Sequence, residues 1–174
     1  MITKEEVLSR EEISRRVAEL GAVISRDYAG RSLVMVGVLN GAYIFMADLS
    51  RAVDLPLEVD FVRVASYGTN TCSSGTVSLV KDVELEVKGK DILLVEDIVD
   101  TGRTIARLRE IFAKKGARSV RICALIDKKE RREVEVEADY AGFTVADGFL
   151  VGYGLDYAEQ HRQYPAVYKI VSGV

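Results

Sequence analysis

The stretch DILLVEDIVDTGRTI, residues 91–105, decides the fold class of this 174-residue chain. Four apolar residues at positions 92–95 follow the turn-like sequence Lys88-Gly89-Lys90, a pattern typical of a parallel strand buried on both faces. Two adjacent acids and then a third end the run, and a Thr-Gly turn follows. Helical spacing then separates the apolar residues Ile105, Leu108, Ile111 and Phe112. The stretch therefore predicts a strand, an acidic loop, a turn and a helix, in that order.

Strands and helices also alternate on both sides of this stretch, which predicts an α/β fold with a doubly wound parallel sheet. A capping box of Ser9 and Glu12 begins the first helix. The chain has the length of one domain and no repeats or linkers, so we expect a single domain spanning residues 1–174. The remaining pattern predicts helices ending near residue 28, at 43–53 and from 103, and strands at 33–38, 57–65, 77–80, 92–95, 120–126, 138–143 and 166–171.

Composition narrows the function classes. Hydrophobic residues make up 48% and charged residues 29%, which is ordinary for a globular chain, and the net charge of −3 argues against non-specific nucleic-acid binding. The sequence contains no membrane-length apolar run and its first residues do not resemble a signal peptide, so we expect no membrane partner and a cytoplasmic location. One histidine excludes a multi-histidine zinc site, and Cys72 and Cys123 have no metal or redox spacing.

The turn at residues 101–104 has the parts of a phosphate-binding site. Gly102 lets the backbone fold without a Cβ penalty, and the free N–H groups and dipole of the following helix attract an anion. Two hydroxyls and the Arg103 guanidinium add further donors. The alternative is an ordinary helix start capped by Asp100 or Thr101. That alternative leaves the preceding acidic pair unexplained, because adjacent carboxylates repel unless sugar hydroxyls or a cation lie between them.

Residues 95–104, VEDIVDTGRT, resemble the phosphoribosyl-pyrophosphate motif of the type I phosphoribosyltransferases. Within that family they are most similar to the members that act on 6-oxopurines, whose acidic pair is also Glu-Asp. The resemblance extends over almost the whole chain. It implies a core at about residues 30–144 and a small hood built from about 1–29 and 145–174, with the active site between core and hood.

The resemblance implies a Mg²⁺-dependent reaction of purine salvage. The 5-phosphoribosyl group would pass from phosphoribosyl pyrophosphate to hypoxanthine, and to guanine as well, giving the nucleotide and pyrophosphate. Asp100 would be the catalytic acid/base at the purine N7. The implied metal-binding residues are Glu96, Asp97 and Asp156. The implied 5′-phosphate site consists of Asp100, Thr101, Gly102, Arg103 and Thr104.

The resemblance also implies where the base binds. Lys128, at the carboxyl end of a predicted core strand, would donate to the exocyclic O6 of the purine. The Phe149 ring would stack on the base, and the backbone of residues 148–150 would read its edge. The full implied set of base-binding residues is Ile98, Lys128, Gly148, Phe149, Leu150 and Asp156.

A second turn, at Leu39, Asn40 and Gly41, follows the strand at 33–38. From the residues alone, the favoured interpretation is that Gly41 merely permits the turn. The resemblance instead implies a pyrophosphate-binding turn with a cis peptide at Leu39–Asn40, assisted by Arg162. Many relatives have lysine at position 40, so Asn40 lacks a charge that they contribute.

Three polar segments remain. Residues 66–76 are rich in Ser, Thr and Gly and are long enough for a lid, with a plain hairpin connection as the alternative. The resemblance favours the lid and places Ser66 and Tyr67 at its start. We expect the charged run at 129–132 to be a solvated loop. We expect His161 to be a surface residue rather than a catalyst, because nothing places a nucleophile beside it.

The partners implied are phosphoribosyl pyrophosphate and a 6-oxopurine base, within a homodimer or homotetramer. The rival from another class is a regulator that kept this fold but binds RNA or DNA. Such relatives lack Lys128 and the arrangement at 149–156, and a nucleic-acid-binding face should be basic. A structural role without a ligand is the third alternative.

Overall fold

A computed structural model describes residues 1–67 and 76–172 of the chain, with the side chains of residues 66, 67 and 76 left out. Three helices are described, α1 (Arg10–Asp27), α2 (Tyr43–Ala52) and α3 (Arg103–Lys114). The strands in the same part of the chain are β1 (Thr3–Leu8), β2 (Leu33–Leu39), β3 (Leu57–Tyr67), β4 (Thr76–Lys81), β5 (Asp91–Val99), β6 (Ser119–Asp127), β7 (Tyr140–Thr144), β8 (Phe149–Val151) and β9 (Val167–Ser172).

The main sheet has six strands in the order β4-β3-β2-β5-β6-β7. Strands β3, β2, β5, β6 and β7 run parallel, and β4 pairs with β3 antiparallel at one edge. Strand β5 lies between β2 and β6 near the middle of the sheet. Its carboxyl end therefore meets the ends of β2 and β6 at one edge, where open parallel sheets place their ligands.

Helices cover both faces of this sheet, because side chains alternate between the faces along each strand. On one face, Met35, Leu93 and Leu125 pack with apolar residues of α1 and α2. On the other face, Val36 and Leu94 pack with apolar residues of α3. Burial on both faces explains why β2 and β5 are nearly continuous apolar runs rather than alternating ones. The predicted doubly wound parallel sheet is confirmed.

A second sheet of three antiparallel strands, in the order β1-β9-β8, joins the two ends of the chain. Sequence analysis did not predict β1, whose residues are mostly exposed, or the three-residue strand β8. Helix α1, although close to β1 in sequence, packs against α2 and β7 of the main sheet. The division into a core and a hood at the predicted boundaries stays a prediction.

The other predicted elements lie where the sequence placed them, within two residues at most ends. Helix α1 has the predicted capping box, with the Ser9 hydroxyl accepting from the Glu12 N–H and the Glu12 carboxylate accepting from the Ser9 N–H. The predicted lid falls largely on residues 68–75, which lie outside the described residues. Among the described residues no helix has the length and apolar character that a membrane crossing requires.

Candidate active site

Strand register brings Asp100 and Lys128 together at the ligand edge of the main sheet. Val99, the last residue of β5, is paired with Asp127, the last residue of β6. The Lys128 backbone N–H donates to the Val99 carbonyl at 2.9 Å, which extends the pairing past the strand ends. Two residues that are 28 positions apart in the chain are thus neighbours in space.

The turn after β5 leads into α3 with an open helix start. Gly102 is the N-cap, with a φ of +84°, and makes no side-chain capping bond. The predicted alternatives of Asp100 or Thr101 as the N-cap are therefore wrong. The Arg103 backbone N–H does donate to the Thr101 hydroxyl, over a long 3.4 Å. A cavity of about 160 Å³ opens at this helix start, and its lining includes Asp100, Thr101, Gly102 and Thr104.

The loop between β6 and β7 packs against the turn at residues 101–104. The Glu133 backbone N–H donates to the Thr101 carbonyl at 2.9 Å, and the Glu133 carboxylate lies 2.5 Å from Arg103 Nε. A methyl group on Gly102 would lie 2.5 Å from a Val136 side-chain carbon. The glycine is therefore required twice, by its positive φ and by the close packing of this loop.

Arg132 was expected to be solvated, and that prediction is wrong. Its side chain is only 14% exposed and forms an ion pair with the buried carboxylate of Asp127. It also donates to the Asp100 carbonyl at 3.1 Å and to the Val136 carbonyl at 2.5 Å. Arg132 thus joins the end of β6 to the acidic loop. The neighbouring Arg131 is mostly exposed, as expected, and its guanidinium lies 3.5 Å from Asp100 Oδ2.

The acidic pair at the end of β5 has an unusual electrostatic environment. Glu96 is 7% exposed, and its burial, reinforced by the adjacent Asp97 carboxylate, raises the pKa of Glu96 well above its ordinary value. No Lys or Arg of residues 1–67 and 76–172 forms an ion pair with either acid. The Asp97 carboxylate lies directly over the second turn, because a methyl group on Gly41 would be 1.9 Å from Asp97 Oδ2.

The second turn connects β2 to α2. The Leu39–Asn40 peptide bond is cis, as the resemblance implied. Arg162 approaches this region from the far end of the chain. Its guanidinium donates to the Gly154 carbonyl at 2.7 Å and lies 3.4 Å from the Asp156 carboxylate.

A larger cavity of about 450 Å³, within the size range of small-molecule sites, opens beside the acidic loop. The Lys128 ammonium is buried in its wall and donates to the Gly148 carbonyl at 3.0 Å. The Phe149 side chain is 49% exposed, and its ring meets the edge of the Tyr157 ring at a centroid distance of 5.5 Å. The predicted base-binding residues all line this cavity, namely Ile98, Lys128, Gly148, Phe149, Leu150 and Asp156.

Comparison with known proteins gives one consistent result. A family model described as the phosphoribosyl transferase domain matches residues 3–158. The chain belongs to the phosphoribosyl transferase family. Curated relatives include the hypoxanthine phosphoribosyltransferase of Salmonella typhimurium, 44% identical over 97% of this chain and 96% of the relative. The hypoxanthine-guanine phosphoribosyltransferase of Bacillus subtilis is 47% identical over 92% of this chain and 89% of its own length.

Solved structures agree with this membership of the phosphoribosyl transferase family. The crystal structure of a hypoxanthine phosphoribosyltransferase from Staphylococcus aureus superposes with a TM-score of 0.93 and is 40% identical in sequence. The match covers 96% of this chain and 91% of that one. The type I fold of the family, inferred from residues 95–104, is therefore confirmed.

The acids of this phosphoribosyl transferase are not arranged as a closed metal cage. Within the described ranges, no three acidic, histidine or cysteine side chains come together at metal-binding distance, so Glu96, Asp97 and Asp156 do not form one cluster. Asp97 and Asp156 line the same cavity, and Glu96 and Asp97 line the smaller one. One or two carboxylates that leave room for substrate oxygens are the arrangement that suits Mg²⁺, which keeps several waters and binds substrate phosphates.

Proposed function

We propose that the chain transfers the 5-phosphoribosyl group of phosphoribosyl pyrophosphate to hypoxanthine, and also to guanine, in purine salvage. One observation carries this proposal beyond the names of the relatives. The cavity at the helix start and the larger cavity share the lining residues Asp97, Ile98 and Asp100. A phosphate held in the first and a base held in the second would thus meet beside the acidic loop, where a ribose can bridge them.

The 5′-phosphate is held at the start of α3. The backbone N–H groups of the first turn of α3 and the hydroxyls of Thr101 and Thr104 supply donors, although the Arg103 N–H is shared with the Thr101 hydroxyl at 3.4 Å, and the helix dipole favours the negative charge. Arg103 adds a positive charge nearby, although its guanidinium is shared with Glu133. The phosphate thereby fixes the substrate at one end.

Asp100 acts as the acid/base residue at the purine N7. One of its carboxylate oxygens is buried without a hydrogen-bond partner among the described residues, while the other faces Arg131. A carboxylate with a free oxygen beside the base cavity can take up the N7 proton as the new C–N bond forms. The ribosyl centre becomes positively charged as its bond to pyrophosphate breaks, and the carboxylates of Glu96 and Asp97 stabilise that charge.

Mg²⁺ is the cation that we propose for this site, with Glu96, Asp97 and Asp156 as the residues that would hold it directly or through water. The fit rests on the acidic pair, because no cationic side chain of the described residues supplies the charge that would balance its two adjacent carboxylates. A Mg²⁺ ion held there would supply positive charge to balance the negative charge of the leaving pyrophosphate. The turn at Leu39–Gly41 and the Arg162 guanidinium are the proposed contacts of that pyrophosphate.

Lys128 is the proposed reader of the substituent at purine C6. An ammonium has only donors, and one of its three is used by the Gly148 carbonyl. A 6-oxopurine presents an acceptor to the remaining donors, whereas adenine presents an amino group. Opposed donors in a desolvated pocket stay unsatisfied, and a site built around such a hydrogen bond can reject the wrong base by about 10⁴-fold.

The decisive experiment measures kcat/KM for hypoxanthine, guanine and adenine in the wild-type protein and in Lys128→Met. We expect both 6-oxopurines to react and adenine to be nearly inert. The substitution should lower activity on hypoxanthine and reduce the hypoxanthine/adenine ratio by about 10-fold or more, because it removes the repulsive contact together with the attractive one.

The adjacent Lys129→Met serves as the matched control for Lys128→Met. Lys129 is largely exposed and pairs with Glu137 at 3.5 Å, so its loss should leave the ratio unchanged. A wild-type preference for adenine would overturn the substrate class. An unchanged ratio in Lys128→Met would overturn the role of Lys128 alone.

The oligomeric state, the cellular location and the choice against a nucleic-acid-binding regulator also belong to this proposal. We propose a homodimer or homotetramer in the cytoplasm. The rival function, a regulator that binds RNA or DNA, is disfavoured by the buried Lys128 in the wall of a base-sized cavity. An assay with labelled phosphoribosyl pyrophosphate separates the two functions, because a regulator would form no nucleotide.

A further inference from the structure

The base cavity and the pyrophosphate turn are built from distant parts of the chain, yet their backbones touch. Gly154 follows the base-binding strand β8, and Gly41 belongs to the turn before α2. A methyl group on Gly154 would lie 2.2 Å from the Gly41 carbonyl oxygen, and Gly154 has a φ of +98°. Only glycine permits this approach, which makes Gly154 the point where the two halves of the site meet.

Tyr153 ties the same point to the helix that follows the turn. Its side chain is 5% exposed, and its hydroxyl donates to Asp48 Oδ2 at 2.5 Å. Asp48 lies on α2, which begins two residues after Gly41. Burial raises the pKa of Tyr153, so the hydroxyl keeps its proton and remains a donor at neutral pH.

The backbone of Tyr153 is held in a conformation that a non-glycine residue seldom adopts, with a φ of +50°. Such conformations persist where the surroundings enforce them. Here the Tyr153 N–H donates to the Tyr164 carbonyl at 2.8 Å, and the Gly154 N–H donates to the Arg162 carbonyl at 2.9 Å. The Arg162 guanidinium in turn donates a hydrogen bond to the Gly154 carbonyl. Tyr153, Gly154 and Arg162 therefore form one ordered unit.

We propose that Tyr153 and Asp48 are positioning residues that hold the base-binding segment against the pyrophosphate-binding turn. The hydrogen bond between them fixes the distance from Gly154 to Gly41, and with it the position of the Arg162 guanidinium, which donates to the Gly154 carbonyl. This inference rests on the proposed function, since it assigns a supporting contact to the proposed pyrophosphate site. Neither residue lines the base cavity or the cavity at the helix start.

The expected effect follows from the worth of one buried hydrogen bond. Its loss in Tyr153→Phe or Asp48→Ala lets the two halves of the site move apart. Pyrophosphate and phosphoribosyl pyrophosphate should then bind roughly 3- to 10-fold more weakly, the range for one net hydrogen bond. The chemical step should be affected less, because neither side chain touches the reacting atoms.

The chain contains a matched control for this substitution. The hydroxyl of Tyr140, also buried, donates to the Asp27 carboxylate at 2.8 Å. This bond joins β7 to the end of α1, away from the residues that line either active-site cavity. Tyr140→Phe thus removes the same kind of hydrogen bond, between a buried tyrosine and an aspartate, without altering the contact between Gly154 and Gly41. It also removes the bond that the Tyr140 hydroxyl accepts from Arg121 at 3.3 Å.

The test combines calorimetric titration of the full-length protein with Mg²⁺-pyrophosphate and steady-state kinetics. Tyr153→Phe, Asp48→Ala, the double variant and Tyr140→Phe are compared with wild type, and each thermal midpoint is recorded. We expect all four to lose some thermal stability. Only the first three should show the rise in pyrophosphate Kd and in KM for phosphoribosyl pyrophosphate. In pyrophosphate Kd the double variant should resemble the single ones, because the Tyr153–Asp48 bond is one interaction, whereas Asp48→Ala also removes an exposed pair with Arg51 at 2.8 Å, within α2, that bears on stability alone.

A purely structural role predicts another pattern. Equal Kd values in Tyr153→Phe, Tyr140→Phe and wild type, or fully additive effects in the double variant, would overturn the positioning role. Wild-type protein that binds pyrophosphate but forms no nucleotide would overturn the proposed function only. In that case the calorimetric comparison still decides the role of Tyr153. A wild-type protein that does not bind pyrophosphate would overturn both.

Discussion

The two ends of strand β5 carry buried carboxylates in contrasting surroundings. At its start, Asp91 is fully buried, accepts a hydrogen bond from the Ser119 hydroxyl at 2.6 Å and faces Arg31 and Arg118 at 3.6 and 3.7 Å. Towards the other end, Glu96 is nearly as buried, and the charged neighbour that raises its pKa is another acid, Asp97.

The difference suggests different roles for the two carboxylates, stabilisation of the fold for Asp91 and ligand binding for Glu96. A buried carboxylate is tolerated when the chain supplies cationic partners, as Arg31 and Arg118 do for Asp91, whose second oxygen, Oδ2, has no hydrogen-bond partner among the described residues. Glu96 lacks a cationic partner among the described residues, and its burial, reinforced by the Asp97 carboxylate, raises its pKa, as is common at functional sites. One end of β5 thus carries a carboxylate balanced by arginines, and the other carries two adjacent acids without such a balance among the described residues.

The largest effect is expected from a substitution of Asp100, which follows the carboxyl end of β5. Asp100→Asn should lower kcat by about 10²–10⁴-fold, the usual contribution of a positioned proton-transfer group, with little loss of stability. Asp91→Asn is the control at the opposite end. It should cost about 1–3 kcal/mol of unfolding free energy and leave kcat close to wild type. Steady-state kinetics and urea denaturation of both variants test the contrast, and a near wild-type kcat in Asp100→Asn would refute its catalytic role.

A second prediction concerns the addition of Mg²⁺, a positive charge, to the end of β5 that carries Glu96 and Asp97. Phosphoribosyl pyrophosphate should bind about 5- to 150-fold more tightly with Mg²⁺ than in a chelator, the usual range for coupled ligands. Because the cation lowers the pKa of Glu96, binding should also release protons, which calorimetry in buffers of different ionisation enthalpy detects. Equal affinity with and without Mg²⁺ would contradict a metal-assisted site.

The smallest effect is expected from Glu96→Gln, which removes the charge of the Glu96 carboxylate. Between its ordinary pKa of 4.5 and its raised folded value, Glu96 keeps a proton in the folded chain that the unfolded chain has lost. The free energy of unfolding should therefore fall as pH rises through that window. Glu96→Gln does not titrate, so it should be more stable than wild type above the window, on the order of 1–3 kcal/mol.

Urea denaturation at about pH 5 and about pH 8, with a chelator present, measures this change. Asp91→Asn again serves as the control, because a paired carboxylate should lose stability on the same substitution. If Glu96→Gln is less stable than wild type at the higher pH, Glu96 is a structural group like Asp91 and the contrast between the two ends fails.

Prediction from sequence succeeded where the signal is local. The Thr-Gly turn, the acidic pair and the apolar run of β5 lie within fifteen residues, and their order specifies a strand, a loop and a helix start. Lys128 was found by its place at a strand end and by the resemblance. Arg132 was missed, because its neighbours in sequence are charged and solvated while its partners, Asp127 and the Asp100 carbonyl, are set by the fold of the following loop.

The sequence by itself therefore determined the parallel sheet, the Thr-Gly turn before α3 and the family, since each depends on hydrophobic periodicity or on a contiguous motif. Only the tertiary structure decided which cavities adjoin, which charges are balanced and how Gly154 meets Gly41. The physical reason is that pairing between strands and packing between backbones join residues that are more than a hundred positions apart. The sequence around one of these residues does not predict such a contact, because the local secondary structure there does not depend on the distant residue.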